Sequence, residues 1–110
     1  MATPKQDYKI QINRNTFENR RSGMIATKVV HTEIVQEKSM QAMRRKAMDI
    51  ANEHVDFTPE MKRRNWFEHS DTYMTRSIDH IVGVNTLTYY IEVRLHDPNK
   101  EDNDATSRWR

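Results

Sequence analysis

The sequence predicts an α+β domain in which a small antiparallel sheet packs on one main amphipathic helix, with polar arms at both ends. Apolar and polar residues alternate strictly from Leu87 to His96, which predicts a strand. Between residues 38 and 54, apolar residues recur at steps of three and four, which predicts a helix with one apolar side. A chain of 110 residues fits one domain. The expected organisation is an N-terminal arm over 1–7, a domain over 8–98 and a mobile, acidic and polar C-terminal tail over 99–110.

The first third of the chain holds one predicted strand and one segment with two alternatives. Apolar and polar residues alternate from Tyr8 to Ile12, as in a half-buried strand. Residues 13–24 are rich in Asn, Arg and Ser, which predicts a connector. Residues 25–37 contain many β-branched side chains, which favour a strand. No Pro or Gly separates them from the next segment, however, so one long helix from Ala26 to His54 is the other alternative.

Two helices are predicted in the middle of the chain. The main helix spans 38–54, and its apolar stripe consists of Met40, Met43, Ala47, Ile50 and His54. Farther along, Thr58-Pro59-Glu60 is typical of a helix start, because Thr caps the first turn, Pro suits the first helical position and Glu favours the positive end of the dipole. We therefore expect a short second helix over 59–68.

The last third predicts a β-hairpin. A first strand carries Met74, Ile78 and Val82 on one face. Residues 83–85, Gly-Val-Asn, supply the turn to the alternating second strand. Asp97-Pro98-Asn99 ends that strand.

The composition limits the classes of protein that this chain can belong to. Hydrophobic residues make up 35% and charged residues 31%, so we expect a thin core that depends on close packing or on neighbouring subunits. The formal charge of +2 is only a mild basic bias. The lack of Cys excludes disulfides and thiolate chemistry. No apolar run approaches the ~18 residues of a membrane helix, and the first residues lack the apolar core of a secretion signal. We expect no membrane contact and no secretion.

No catalytic pattern stands out among the polar residues. Five histidines invite a metal-site hypothesis: His31, His54, His69, His80 and His96. None of them forms an i,i+4 helix pair or a His-Glu-x-x-His pattern. With Gly23 and Gly83 as its only glycines, the chain has no Gly-rich phosphate loop. We predict no catalytic residue, no metal and no cofactor. One functional alternative is nevertheless a small enzyme that uses His69 or His80 with nearby carboxylates.

Basic residues give a candidate nucleic-acid surface. Its members are Arg20, Arg21, Arg44, Arg45, Arg63 and Arg64. On a helix, neighbouring residues are rotated by about 100°, so Arg44, Arg45 and Lys46 cannot all face one groove. The alternative to nucleic-acid binding is that these residues are simply solvated charges on the protein surface. Binding therefore requires one residue from each basic run to converge in the fold.

The aromatic residues near the ends and the middle of the chain predict protein contacts. The candidate interface anchors are Phe17, Trp66, Phe67 and Trp109. Polar arms that carry single aromatic residues can become ordered on neighbouring subunits. This pattern predicts a homo-oligomer, although simple fraying of the chain ends is an equal alternative.

Part of the chain resembles the tail-completion or head–tail connector proteins of tailed bacteriophages. The matching segments are an amphipathic helix at Met40–His54, Thr58-Pro59, Arg76-Ser77-Ile78 and Tyr90-Ile91-Glu92-Val93. Members of that family form rings at the virion neck and lack catalytic residues. The resemblance implies contacts with further copies and with other virion proteins, transient DNA contact, and a location in the virion or the host cytoplasm.

The leading hypothesis from the sequence is therefore a structural assembly protein, a virion neck or tail-completion subunit that forms a homo-oligomeric ring. The alternative is a small basic regulator that binds nucleic acid or a host protein, as phage-type inhibitors do.

Overall fold

The computed structural model of the protein describes residues 4–18 and 23–96. In chain order the elements are β1 (Gln6–Glu18), β2 (Met24–Glu37), α1 (Met40–His54), β3 (Lys62–Arg63), β4 (Phe67–Ser70), β5 (Tyr73–Val82) and β6 (Asn85–Leu95). All strand pairs are antiparallel, in the order β2-β1-β6-β5-β3, and β4 also pairs with β5. Most of the described residues lie in strands, so the α+β prediction holds with far more sheet than expected.

One face of the sheet packs on α1, and we call it the helix face. At its centre, Ile10 and Ile12 of β1 lie opposite Val93 and Ile91 of β6, and all four side chains are fully buried. Because side chains alternate along a strand, the residues between them point to the other side of the sheet. That side, which we call the open face, has no second layer among the described residues.

The main helix is confirmed. The hydroxyl of Ser39 accepts a hydrogen bond from the Ala42 N–H at 3.1 Å, which caps the helix start. Met43, Ala47 and Ile50 of the predicted stripe are buried against the sheet. Because these residues recur at three- and four-residue steps, one side of the helix fills the core.

Strand β2 resolves the two alternatives for residues 25–37. The segment is a strand paired with β1 along its whole length, so the long helix that would start at Ala26 does not form. The connector predicted for residues 13–24 is also wrong. Residues 13–18 continue β1, because both β2 and β6 pair with them. β1 also begins at Gln6, two residues before the predicted domain start.

The second predicted helix, over residues 59–68, is wrong. The helix-start signal produces a single turn, in which the Met61 N–H donates to the Thr58 carbonyl at 3.2 Å. The chain then leaves this turn because the edge of β5 binds its backbone, and the Arg64 N–H donates to the Ser77 carbonyl at 3.0 Å. Residues 59–68 also lack an apolar stripe, so beyond the helix-start signal no apolar face favours a helix over pairing with this edge.

The predicted hairpin is confirmed as β5 and β6. Val82 and Asn85 are paired, so Gly83 and Val84 form a two-residue turn. Gly83 has a φ of +59°, which is the left-handed region that the first position of such a turn requires. The predicted tail over 99–110 lies outside the described residues.

Candidate interaction surfaces on the sheet edge and the open face

Strand β2 forms one edge of the sheet, so its outer backbone groups have no strand partner among the described residues. Four large apolar side chains on it are at least half exposed: Met24 at 50%, Ile25 at 58%, Val29 at 56% and Ile34 at 50%. Residues 24–29 are exposed on both faces of the sheet. A long apolar edge strand is a template for pairing with another chain, and proteins usually shield it.

A β-bulge interrupts β2 at Val30. His31 lies opposite Ile12, but the next β1 residue, Asn13, lies opposite Val29, so Val30 has no partner on β1. The extra residue shifts the alternation of side chains by one position. As a result Lys28 and Glu33, which are five residues apart, both lie on the helix face.

A pair of histidines connects the middle of β2 with the end of α1. The rings of His31 and His54 stack with their centroids 3.8 Å apart. The His31 Nε2 atom lies 2.7 Å from the Glu33 Oε1 atom. These contacts join β2 to the helix. His54, the last residue of the predicted apolar stripe, is exposed at the end of α1 and contacts the His31 ring.

The open face carries an aromatic cluster centred on Tyr73. Its ring stacks on His69 at 4.5 Å, and the Arg94 guanidinium lies 4.3 Å from its centroid. The Tyr73 hydroxyl donates to the Glu92 carboxylate at 3.0 Å. Burial, and then the nearby Glu92 carboxylate, raise the pKa of Tyr73 well above its usual value. Because both sides of the ring are covered, Tyr73 offers no free face for stacking a nucleobase.

This cluster buries Thr75, the one buried residue of the open face in the described part of the chain. The Thr75 hydroxyl lies 2.9 Å from His69 Nε2. Phe67 packs on the ring of His69 at 4.6 Å and is itself 62% exposed. The cluster is therefore an example of side-chain packing between neighbouring strands, and Phe67 is its exposed end.

The predicted basic surface is not assembled by the described residues. Arg44 forms an ion pair with Glu68 of β4, and Arg64 forms one with Asp79 at 3.3 Å. Arg45 lies exposed on α1. Arg20 and Arg21 lie outside the described residues.

Arg63 and Arg76 are two basic residues whose charges act on each other. Burial, and then the nearby Arg63 guanidinium, lower the pKa of Arg76. Arg63 donates to the carbonyls of Thr58 and Met61, at 3.3 and 3.5 Å, and Arg76 donates to that of Arg64 at 2.8 Å. Neither guanidinium forms an ion pair within residues 4–18 and 23–96.

The four predicted interface anchors have different surroundings. Phe17 is half-buried near the end of β1, opposite Met24 and Thr86. Trp66 packs partly buried against the core, so it serves the fold of this chain. Phe67 is the exposed member of the set. Trp109 lies outside the described residues.

The two histidines that the sequence analysis considered for catalysis are His69, which contacts other side chains of the sheet, and His80, which lines a surface groove. His69 is held in the aromatic cluster described above. His80 lines a groove of about 580 Å³, together with Glu60, Lys62, Asp79, Ile81 and Thr86. The Asp79 carboxylate there is already bound by Arg64 and by the Thr88 hydroxyl at 2.9 Å. Within the described ranges, no three His, Asp or Glu side chains are grouped so that they could hold a metal ion.

Comparisons with family models, with curated proteins and with solved structures find no match for this chain. The helix described between residues 40 and 54 is too short and too polar to cross a membrane.

Sequence reasoning named aromatic and basic residues but missed the sheet edge as a surface. A signal for it existed in the β-branched residues Val29, Val30, Thr32, Ile34 and Val35. These residues favour a strand, but they do not show that this strand lies at the edge of the sheet, because that depends on which strands pair.

Proposed function

We propose that this chain is a structural assembly protein that works as a homo-oligomer, a subunit of the virion neck or tail-completion type. The observation that supports this proposal most directly is the apolar edge of β2, which has no strand partner within the described ranges. An isolated protein gains nothing from a long open edge and risks aggregation there. A subunit buries the same edge against its neighbours.

The second support is that the described residues cover only one face of the sheet. One helix covers one face of the sheet, and the core cluster has 13 buried members among the residues that the structure describes. A small domain with so little interior gains stability when further apolar surface is buried between copies. The exposed Phe67 and the four apolar side chains of β2 are available for such burial.

The test is the mass of the intact chain in solution, measured by size exclusion with light scattering over a range of concentrations. The proposal expects a discrete assembly, such as the ring that the family resemblance implies. In electron micrographs the same sample should show particles of uniform size. A species with the mass of one 13.2 kDa chain at every soluble concentration would refute the proposal.

A second candidate function is a small basic regulator that binds nucleic acid or a host protein. It is favoured by Arg63 and Arg76, which lie near each other without a carboxylate partner in the described structure. Phosphate oxygens would relieve the repulsion between them. This candidate expects affinity for a single- or double-stranded oligonucleotide that falls steeply as the salt concentration rises. Binding that is absent, or that does not respond to salt, would remove the nucleic-acid form of this candidate.

A further inference from the structure

We infer that strand β2 pairs antiparallel with β2 of a second copy of this chain, in a register that places Lys28 opposite Glu33 of the partner. The inference rests on the proposed function, because it names one contact through which copies associate. A two-fold contact of this kind joins copies in pairs, so a larger ring needs a second, different contact between the pairs. In this arrangement a two-fold axis passes between Val30 and His31, and each contact occurs twice.

The bulge at Val30 is what makes this register possible. In antiparallel strands, directly opposite residues lie on the same face of the sheet. In an unbroken strand, residues five apart point to opposite faces, so Lys28 and Glu33 could not meet. Because the bulge shifts the alternation, both lie on the helix face, as the pairing of Lys28 with Arg14 and of Glu33 with Ile10 shows.

The other pairs of this register also match. Ala26 meets Val35 on the helix face. On the open face, Thr27 meets Ile34 and Val29 meets Thr32. The half-exposed side chains of Val29 and Ile34 therefore become covered. Four residues on each side of the axis form the new ladder, and the bulged centre between them is left without regular pairing.

Charge favours a second β2 over the opposite edge of the sheet as the occupant. Following the registers across the sheet, Arg63 of β3 stands at the level of Lys28, and Glu68 of β4 stands at the level of Glu33. A head-to-tail sheet that continued at the same level would therefore place two like-charged pairs against each other. Like charges directly opposite each other destabilise strand pairing, and opposite charges stabilise it.

The first experiment reverses these charges. The variant Lys28→Glu should raise the dissociation constant of the assembly by at least about tenfold, because each copy then brings Glu against Glu33. The double variant Lys28→Glu/Glu33→Lys should restore association, since the pairs are attractive again with their sites exchanged. Lys46→Glu, on the exposed side of α1, is the matched control and should leave the mass unchanged. Circular dichroism checks that each variant keeps the fold.

The second experiment uses the lack of cysteine in this chain, so that any added thiol reports one position. An equal mixture of the single variants Val29→Cys and Thr32→Cys should form a disulfide-linked pair under mild oxidation, because opposite residues in a strand pair meet the distance requirement. Each variant alone should form far less, because its own thiols lie about three residues apart along the ladder, roughly 10 Å.

The outcomes separate this inference from the proposed function. Loss and rescue by the charge variants, with a disulfide only in the mixture, support the β2 register. An assembly that withstands Lys28→Glu and forms no disulfide in the mixture overturns the register and leaves the assembly function standing. A wild-type chain that is monomeric at every concentration overturns both.

Discussion

Replacing Ile78 by Ala, and separately Ile81 by Ala, tests whether the sheet is covered on one face only. Both residues lie in β5, but Ile78 is fully buried on the helix face, whereas Ile81 is 71% exposed on the open face. Each substitution removes the same three carbon atoms. At ~0.8 kcal/mol for each buried carbon, Ile78→Ala loses about 2.4 kcal/mol of transfer free energy. A partly collapsed cavity adds roughly 1 kcal/mol at ~24 cal/mol per Å³.

The expected loss in the free energy of unfolding is therefore roughly 3 to 4 kcal/mol for Ile78→Ala, against less than about 1 kcal/mol for Ile81→Ala. Urea unfolding followed by circular dichroism measures both, with the midpoint and the slope recorded. Repeating it at two protein concentrations separates folding from association, since an assembly makes the midpoint depend on concentration. Equal losses for the two variants would refute the one-sided core.

Three further predictions concern single contacts. Ser39→Ala removes the hydroxyl that caps α1 at Ala42 and should lower the free energy of unfolding by about 1 kcal/mol in the same urea assay, while Ser39→Asp should retain most of it. Burial and Glu92 raise the pKa of Tyr73 above its usual 10.0, so the unfolded chain loses this proton first and the free energy of unfolding should fall as the pH rises above about 10. Tyr73→Phe should make that fall shallower in thermal melts. An unchanged slope would contradict the assignment. Gly83→Ala should cost about 1 kcal/mol in thermal melts through its φ of +59° alone, because no atom lies within 4 Å of the added methyl group, and Gly83→Asn should cost less.

Alternation and helical periodicity predicted the parts of the fold in which one face is buried. The strand around Ile91 and the helix around Ala47 follow those patterns, because burial of one face selects the residues at every second or every third and fourth position. The helix predicted for residues 59–68 was wrong because a local signal was overruled by a contact distant along the chain. Their capping signal is local, while the backbone of β5, about 15 residues later, decides their conformation.

Residues 13–18 are the opposite case, in which a segment that local composition predicts as a loop is a strand. These residues are mostly polar and all half-buried, and the two neighbouring strands supply their backbone hydrogen bonds, so composition alone predicts a loop. The candidate surfaces were harder to predict still. The edge position of β2 depends on which strands pair, and the meeting of Lys28 and Glu33 on one face depends on a single bulge. Neither leaves a trace in local composition.

The pairing of β1 with β6 bears on how the chain is made. These two strands occupy the middle of the sheet, yet one begins at residue 6 and the other ends at residue 95. During synthesis, Ile10 and Ile12 cannot pair with Val93 and Ile91 until about 80 further residues have been made. Contacts between residues so distant along the chain form slowly during folding, and until they form the apolar strand β1 is prone to aggregation. A nascent chain that stops before residue 85 therefore lacks β6 and leaves Ile10 and Ile12 without the strand that pairs with them.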